Sequence, residues 1–172
     1  MARALRRHRR MKVRRLTGDD AAALREIRLE ALALHPTAFS ADPDVESAFP
    51  LARWREHLEA RIWFGVFADG ALVGINAFST ESYSKKTAHV AHLGAMYVRE
   101  AARGSGAADA LMTNFLDYAK GKAEQIVLTV EAGNSRAMKL YVKHGFEVTG
   151  RKPRSMKVDG TFYDEFEMWR TV

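Results

Sequence analysis

"YVREAARGSGAADALMTNFL", residues 97–116, runs from the end of a strand through a glycine-bearing turn into a helix. Gly104 and Gly106 carry no Cβ, so the backbone there can approach a ligand closely. The helix that follows leaves its first amides unpaired at the positive end of its dipole, and such an end attracts phosphate oxygens. Arg103 at the lip of the turn adds a charge-assisted donor. Leu111, Met112, Phe115, Leu116 and Ala119 then share one side of a helix over 107–119.

Several readings of this turn compete. A P-loop is excluded, because no Lys-Ser or Lys-Thr pair follows the second glycine. The dinucleotide fingerprint needs a third glycine where "GSGAAD" has Asp109, although Glu131 could imitate its ribose-binding acid. Only about seventy residues follow the turn, too few for a full doubly wound sheet. Taken alone, the turn also reads as a packed strand–helix loop with no ligand.

The pattern outward from the turn is mixed. "KVRRLT" is a short strand, and Thr17 or Asp19 can cap the helix after it. Leu24, Ile27, Ala31 and Leu34 recur at helical spacing, and "HPTAFSADPD" breaks that run with Pro36 and Pro43. Pro50 opens a second helix through Trp54 and Leu58. "IWFGVFA" and "ALVGINAFST" flank an Asp-Gly turn, a strong hairpin signal, and "HVAHLGAMYV" is a third strand leading into the quoted turn. "QIVLTVE" reads as a continuously buried strand. "NSRAMKLYVKHG" reads as a helix between Asn134 and Gly145, and two strands joined through a second Asp-Gly close the chain. The order β-α-α-β-β-β-α-β-α-β-β predicts an α+β fold in a single domain, with a mixed sheet flanked by helices.

Composition narrows the classes. The chain has 172 residues, 47% hydrophobic and 28% charged, and no cysteine, which excludes disulfides, a cysteine nucleophile and cysteine-ligated zinc. The apolar runs are too short to span a bilayer, which argues against a membrane protein. The formal charge of +6 is concentrated at the start, where residues 1–10 hold five arginines and leave +1 for the rest. That segment is no secretory signal, and it reads as a basic, disordered extension or as an upstream start ahead of Met11. The body has no matching basic stripe, which argues against a nucleic-acid partner. Absence of cysteine fits the cytoplasm.

"RGSGAA" fits R-x-x-G-x-A, and "VEAGNSRAMKLYVKHGF" follows it with asparagine, alanine, leucine-tyrosine and glycine-phenylalanine at helical spacing. Together these blocks resemble the GNAT superfamily of acetyl-CoA-dependent N-acetyltransferases, over residues 11–172. "LREIRLEALALHPTAF" and "DGTFYDEFEM" also resemble bacterial members. The resemblance implies a central mixed, mostly antiparallel sheet, acetyl-CoA as co-substrate with no metal, and transfer of an acetyl group to a primary amine in a ternary complex. It implies that Met96, Tyr97 and Val98 flank the pantetheine arm, and that the turn Arg103, Gly104, Ser105, Gly106, Ala107, Ala108 holds the pyrophosphate. Asn134 and Tyr141 would also touch the coenzyme, Tyr141 as the acid for the leaving thiolate. Packing against the sheet is the bland reading of Tyr141, and helix capping that of Asn134. For the base, His92 and Glu81 are candidates, with a water chain or an ordinary structural histidine as alternatives. A non-catalytic acyl-CoA-binding or regulatory domain stays open, as does a homodimer. Asp42, Asp44, Glu46 and Glu81 suit a cationic acceptor, whereas Lys152, Arg154 and Lys157 suit an acidic one, so the sequence does not name the amine.

Overall fold

Seven strands pair into one mixed sheet in the computed structural model, which describes residues 11–80 and 84–172. The strands are β1 (Met11–Arg15), β2 (Ile62–Ala68), β3 (Ala71–Thr80), β4 (Val90–Val98), β5 (Gln125–Glu131), β6 (Glu147–Val158) and β7 (Thr161–Thr171), in spatial order β1-β2-β3-β4-β5-β7-β6. Neighbours are antiparallel except β4 and β5, which run parallel. Both Asp-Gly pairs form hairpin turns with both residues at positive φ: 52° and 85° at Asp69 and Gly70, 47° and 81° at Asp159 and Gly160. That is the twist-matching turn these dipeptides favour.

Helices cover both faces. On one face α4 (Ala107–Ala119) and α5 (Ser135–Lys143) pack Leu111, Met112, Phe115 and Tyr141 against Phe64, Phe78, Ala91, Leu93 and Ile126. On the other, α1 (Ala21–Leu34) and α3 (Leu51–Ala60) pack Leu24, Ile27, Trp54 and Leu58 against Trp63, Ile75 and Tyr97. The helical spacing read from the sequence therefore faces the sheet from both sides, except that Leu34, at the end of α1, is exposed.

Three expectations change in detail. The segment read as a break holds one short helix, α2 (Pro43–Ser47): the Asp42 carboxylate accepts from the Asp44 amide at 2.8 Å, and proline is tolerated at a first turn. Of the two caps offered before α1, Thr17 serves, opening a 3-10 turn over Gly18–Asp20, and its capping-box partner is Asp20 rather than Asp19. The Asp20 carboxylate accepts from the Thr17 amide at 2.8 Å and, at 2.7 Å twice, from Arg14, whose hydrogen bonds hold that carboxyl below the usual range. β5 is not buried on both faces: Ile126, Leu128 and Val130 enter the core, while Thr129 is exposed. Residues 1–10 and Glu81 lie outside the described residues.

Phe115, fully buried between α4 and the sheet, sets the scale of the core. Phe115→Ala should cost about 3–5 kcal/mol in urea unfolding. Leu51→Ala, at a site 41% exposed, should cost well under half of that.

Candidate functional site

β4 and β5 pair at Val90–Gln125, Ala91–Ile126 and His92–Val127, and no further. On its other side β4 stays paired with β3 as far as Val98–Gly74. Within that ladder Ile75 faces Tyr97 but Ala77 faces Gly94, so β4 carries one extra residue, and Ala95 adopts φ +52°. This bulge flips the alternation. Ala91 and Leu93 enter the core under α4, whereas Tyr97 enters the core under α1. From Leu93 to Val98 the edge toward β5 is open. The Arg99 amide donates to Val73 O at 2.9 Å, so by alternation the polar groups of Val98 point to the open side. There Val98 O accepts from Arg103 Nε at 3.3 Å.

The splay opens a cleft of about 700 Å³. Its floor includes Met96, Tyr97 and Val98, and one wall is the turn of Arg103, Gly104, Gly106, Ala107 and Ala108. Gly104 has φ +72° and Gly106 has φ +91°. Gly106 is the N-cap of α4 and supplies no side chain to its first amides. Those donors are left for a ligand, which is what an anion-binding helix start requires. Ser105 turns away, its hydroxyl donating to Ala102 O at 2.6 Å, and it does not line the cleft.

Asn134 and Tyr141 form the opposite wall. Asn134 Oδ1 accepts from the Ala137 amide at 3.2 Å, so it caps α5 as the sequence indicated while also lining the cleft. Burial holds the Tyr141 phenol well above its usual pKa, and it stays protonated through the neutral range. Asp109, in the first turn of α4, accepts from Lys143 at 2.7 Å and from His144 at 3.0 Å. Lys143 foremost keeps its carboxyl below the usual range, and the pair of contacts ties the start of α4 to the end of α5.

A second cavity, of about 350 Å³, adjoins the bulge on the α1 side and is lined by Gly94, Ala95 and Thr129. Phe39, Trp54, Trp63 and His57 make its aromatic walls, and Ala38 and Phe39 border both cavities. Arg28 donates to Glu46 at 3.0 and 3.1 Å, so the charge of Glu46 is already matched inside the protein. Arg61 and Glu165 add opposite charges to the lining. The buried indole N–H groups of Trp54 and Trp63 have no acceptor among the described residues. Burial, and then Arg53, holds His57 below the ordinary imidazole pKa, so it is neutral at pH 7.

All the coenzyme-binding positions named from the sequence except Ser105 converge on the first cleft, and Tyr141 with them. His92 does not: it belongs to the paired part of β4, before the bulge, and lines neither cavity. Asp42 and Asp44 line neither cavity, and of the basic hairpin residues Lys152 pairs with Glu167 at 3.1 Å while Arg154 lies over the Phe162 ring. Sequence reasoning missed His35, Trp63 and His57. The loop containing His35 was singled out, but no motif marks that residue.

The sequence pattern of the Acetyltransferase (GNAT) family matches residues 23–146. L-amino acid N-acetyltransferase AaaT from Escherichia coli (strain K12) is 30% identical over 104 residues, which span 59% of this chain and 63% of that protein. Among solved structures, an acetyltransferase of the GNAT family from Streptococcus pneumoniae superposes with a TM-score of 0.85 at 23% identity, over 94% of this chain and 99% of that one. A GNAT superfamily phosphinothricin acetyltransferase from Sinorhizobium meliloti, in complex with AcCoA, gives 0.79 at 18% identity, over 94% and 88%.

Gly106 is the residue on which the shape of the turn depends. Gly106→Ala should cost about 1–2 kcal/mol in urea unfolding through its left-handed φ, since the new methyl group would meet only Met11 Cε, at an ordinary 3.6 Å. An unchanged midpoint would show that the turn is not held in this conformation.

Proposed function

Because this chain belongs to the Acetyltransferase (GNAT) family, we propose that it transfers an acetyl group from acetyl-CoA to a primary amine held in the second cavity. One observation carries the reading: the two cavities meet at the splayed, bulged end of β4, with Gly94 and Ala95 in one and Met96 to Val98 in the other. A thioester in the first cleft and an amine in the second would then be neighbours, which is the orientation that direct attack requires.

The residues suit the two halves of the task. The uncapped start of α4, with Gly104, Gly106 and Arg103, fits a pyrophosphate. The open edge at Met96 and Val98 fits an amide-bearing pantetheine arm, added like a strand. When bound, acetyl-CoA supplies an activated acyl carbonyl. The Val98 amide, on the open side, is the donor for charge developing on that carbonyl oxygen. Tyr141 keeps its proton at neutral pH and can give it to the departing thiolate. His92 and Glu81 remain candidates for the base. His57 is the imidazole that the acceptor cavity itself offers, neutral at pH 7 and so able to take up a proton.

For the acceptor we infer a free L-amino acid. The E. coli relative bears that activity in its name, and a cavity of about 350 Å³ suits a small molecule. Arg61 suits a carboxylate, while Glu165 suits an ammonium.

Thiol release from acetyl-CoA, followed against a panel of amines, tests this function. Turnover with free amino acids, and about tenfold slower turnover with their carboxamides, is the expected result. Coenzyme binding without turnover of any amine would favour a non-catalytic acyl-CoA-binding domain. Tyr141→Phe should lower kcat about a hundredfold with the KM for acetyl-CoA unchanged; equal turnover would remove Tyr141 from the mechanism.

A further inference from the structure

Arg103 has donors only, so the 2.9 Å contact between its Nη2 and His35 Nε2 requires the lone pair on Nε2. His35 is then neutral, with its proton on Nδ1. It stands just past the end of α1, its amide donating to Ala31 O at 3.0 Å, and its ring packs against Tyr97 at 5.8 Å between centroids. The Tyr97 hydroxyl donates to Glu30 at 2.8 Å, and Glu30 lies 3.3 Å from Arg99 Nε. A continuous set of contacts thus reaches from α1, on one face of the sheet, to the turn at the coenzyme cleft.

We propose that His35 is a positioning residue for the coenzyme: its neutral imidazole holds the Arg103 guanidinium at the lip of the phosphate cradle, and an imidazolium releases it. The proposal rests on the reading that this cleft binds CoA. With Nε on Val98 O and Nη2 on His35, the guanidinium is fixed before the ligand arrives and keeps N–H donors for phosphate oxygens. The rotamer freedom of a long side chain is then lost in folding rather than in binding. The charged groups facing His35 are Arg103, Arg136 and Glu100. Burial first, and then the two arginines, keep its pKa below the ordinary value, with Glu100 opposing. The Tyr97 phenol, pushed up to about 12, is uncharged at every pH of interest. His35 is therefore neutral at pH 7.5 and gains a proton only as the pH falls below the usual imidazole range. The protonated ring can no longer accept from Arg103 and repels it, so the affinity for coenzyme falls with pH.

The test is calorimetric binding of CoA at pH 7.5 and pH 5.5, with melting of the unliganded proteins to check folding. At pH 7.5 His35→Ala should weaken binding about tenfold, and His35→Gln, whose amide oxygen can accept from Arg103, should stay close to the parent protein. The ratio of parent to His35→Gln dissociation constants should rise at pH 5.5, a comparison in which the titration of the coenzyme's own phosphates cancels. In an Arg103→Ala background, His35→Ala should change nothing. Equal losses in the Ala and Gln variants, an undiminished effect without Arg103, or a ratio that does not move with pH would each overturn the proposal. Failure of the parent protein to bind CoA at either pH would instead overturn the coenzyme reading on which it rests.

Discussion

Hydrogen bonding between β4 and β5 stops at the His92–Val127 pair, and the rest of the candidate site follows from that stop. Buried backbone donors and acceptors are almost always paired, so an open edge inside a sheet either meets solvent or is kept for a ligand. Here the edge stays in place because β3 holds the other side of β4 through Val98, while the bulge at Ala95 re-aims the strand without ending it. These two departures from regular pairing, the early stop and the bulge, coincide with a cleft on one side of the strand and a cavity on the other.

Cross-links between elements remote in sequence hold the walls of that opening. Asp109 joins the start of α4 to the end of α5 through Lys143 and His144. The Lys143 contact is exposed and worth little as stability, but it keeps Tyr141 and Asn134 beside a helix whose first amides face the cleft. Arg103 links the turn to Val98 and, through His35, to the helical layer on the far face. Arg28 and Glu46, both largely buried, fix α2 against α1 beside the second cavity. A carboxylate so matched adds no net charge to attract a cationic acceptor, and the second cavity is left with the opposed charges of Arg61 and Glu165.

What was legible in the sequence was local. The strand–turn–helix at 97–116, the two Asp-Gly hairpins and the Asn134 cap each depend on a few neighbouring residues, and each forms as read. The cleft-lining positions were legible through two linked motifs; Ser105 alone of them does not line the cleft, and its hydroxyl bonds within its own turn. What stayed hidden depends on tertiary pairing. The one-sided burial of β5 follows from the helical layers: the cluster beneath α4 and α5 takes in Ile126, Leu128 and Val130, while the cluster beneath α1 and α3 includes no residue of β5, and strand composition does not encode that. The role of His35 depends on a partner 68 positions away, and the aromatic walls of the second cavity come from α3, β2 and a loop that meet only in the folded chain.

Amide hydrogen exchange, resolved by residue with and without acetyl-CoA, probes the open edge most directly. Slowing at Met96, Val98 and Gly106 to Ala108, with little change at Val90 to His92, where β4 is already paired with β5, is the result expected if this edge and the α4 start hold the coenzyme. No slowing at these amides under saturating coenzyme, or the same slowing throughout β4, would contradict it.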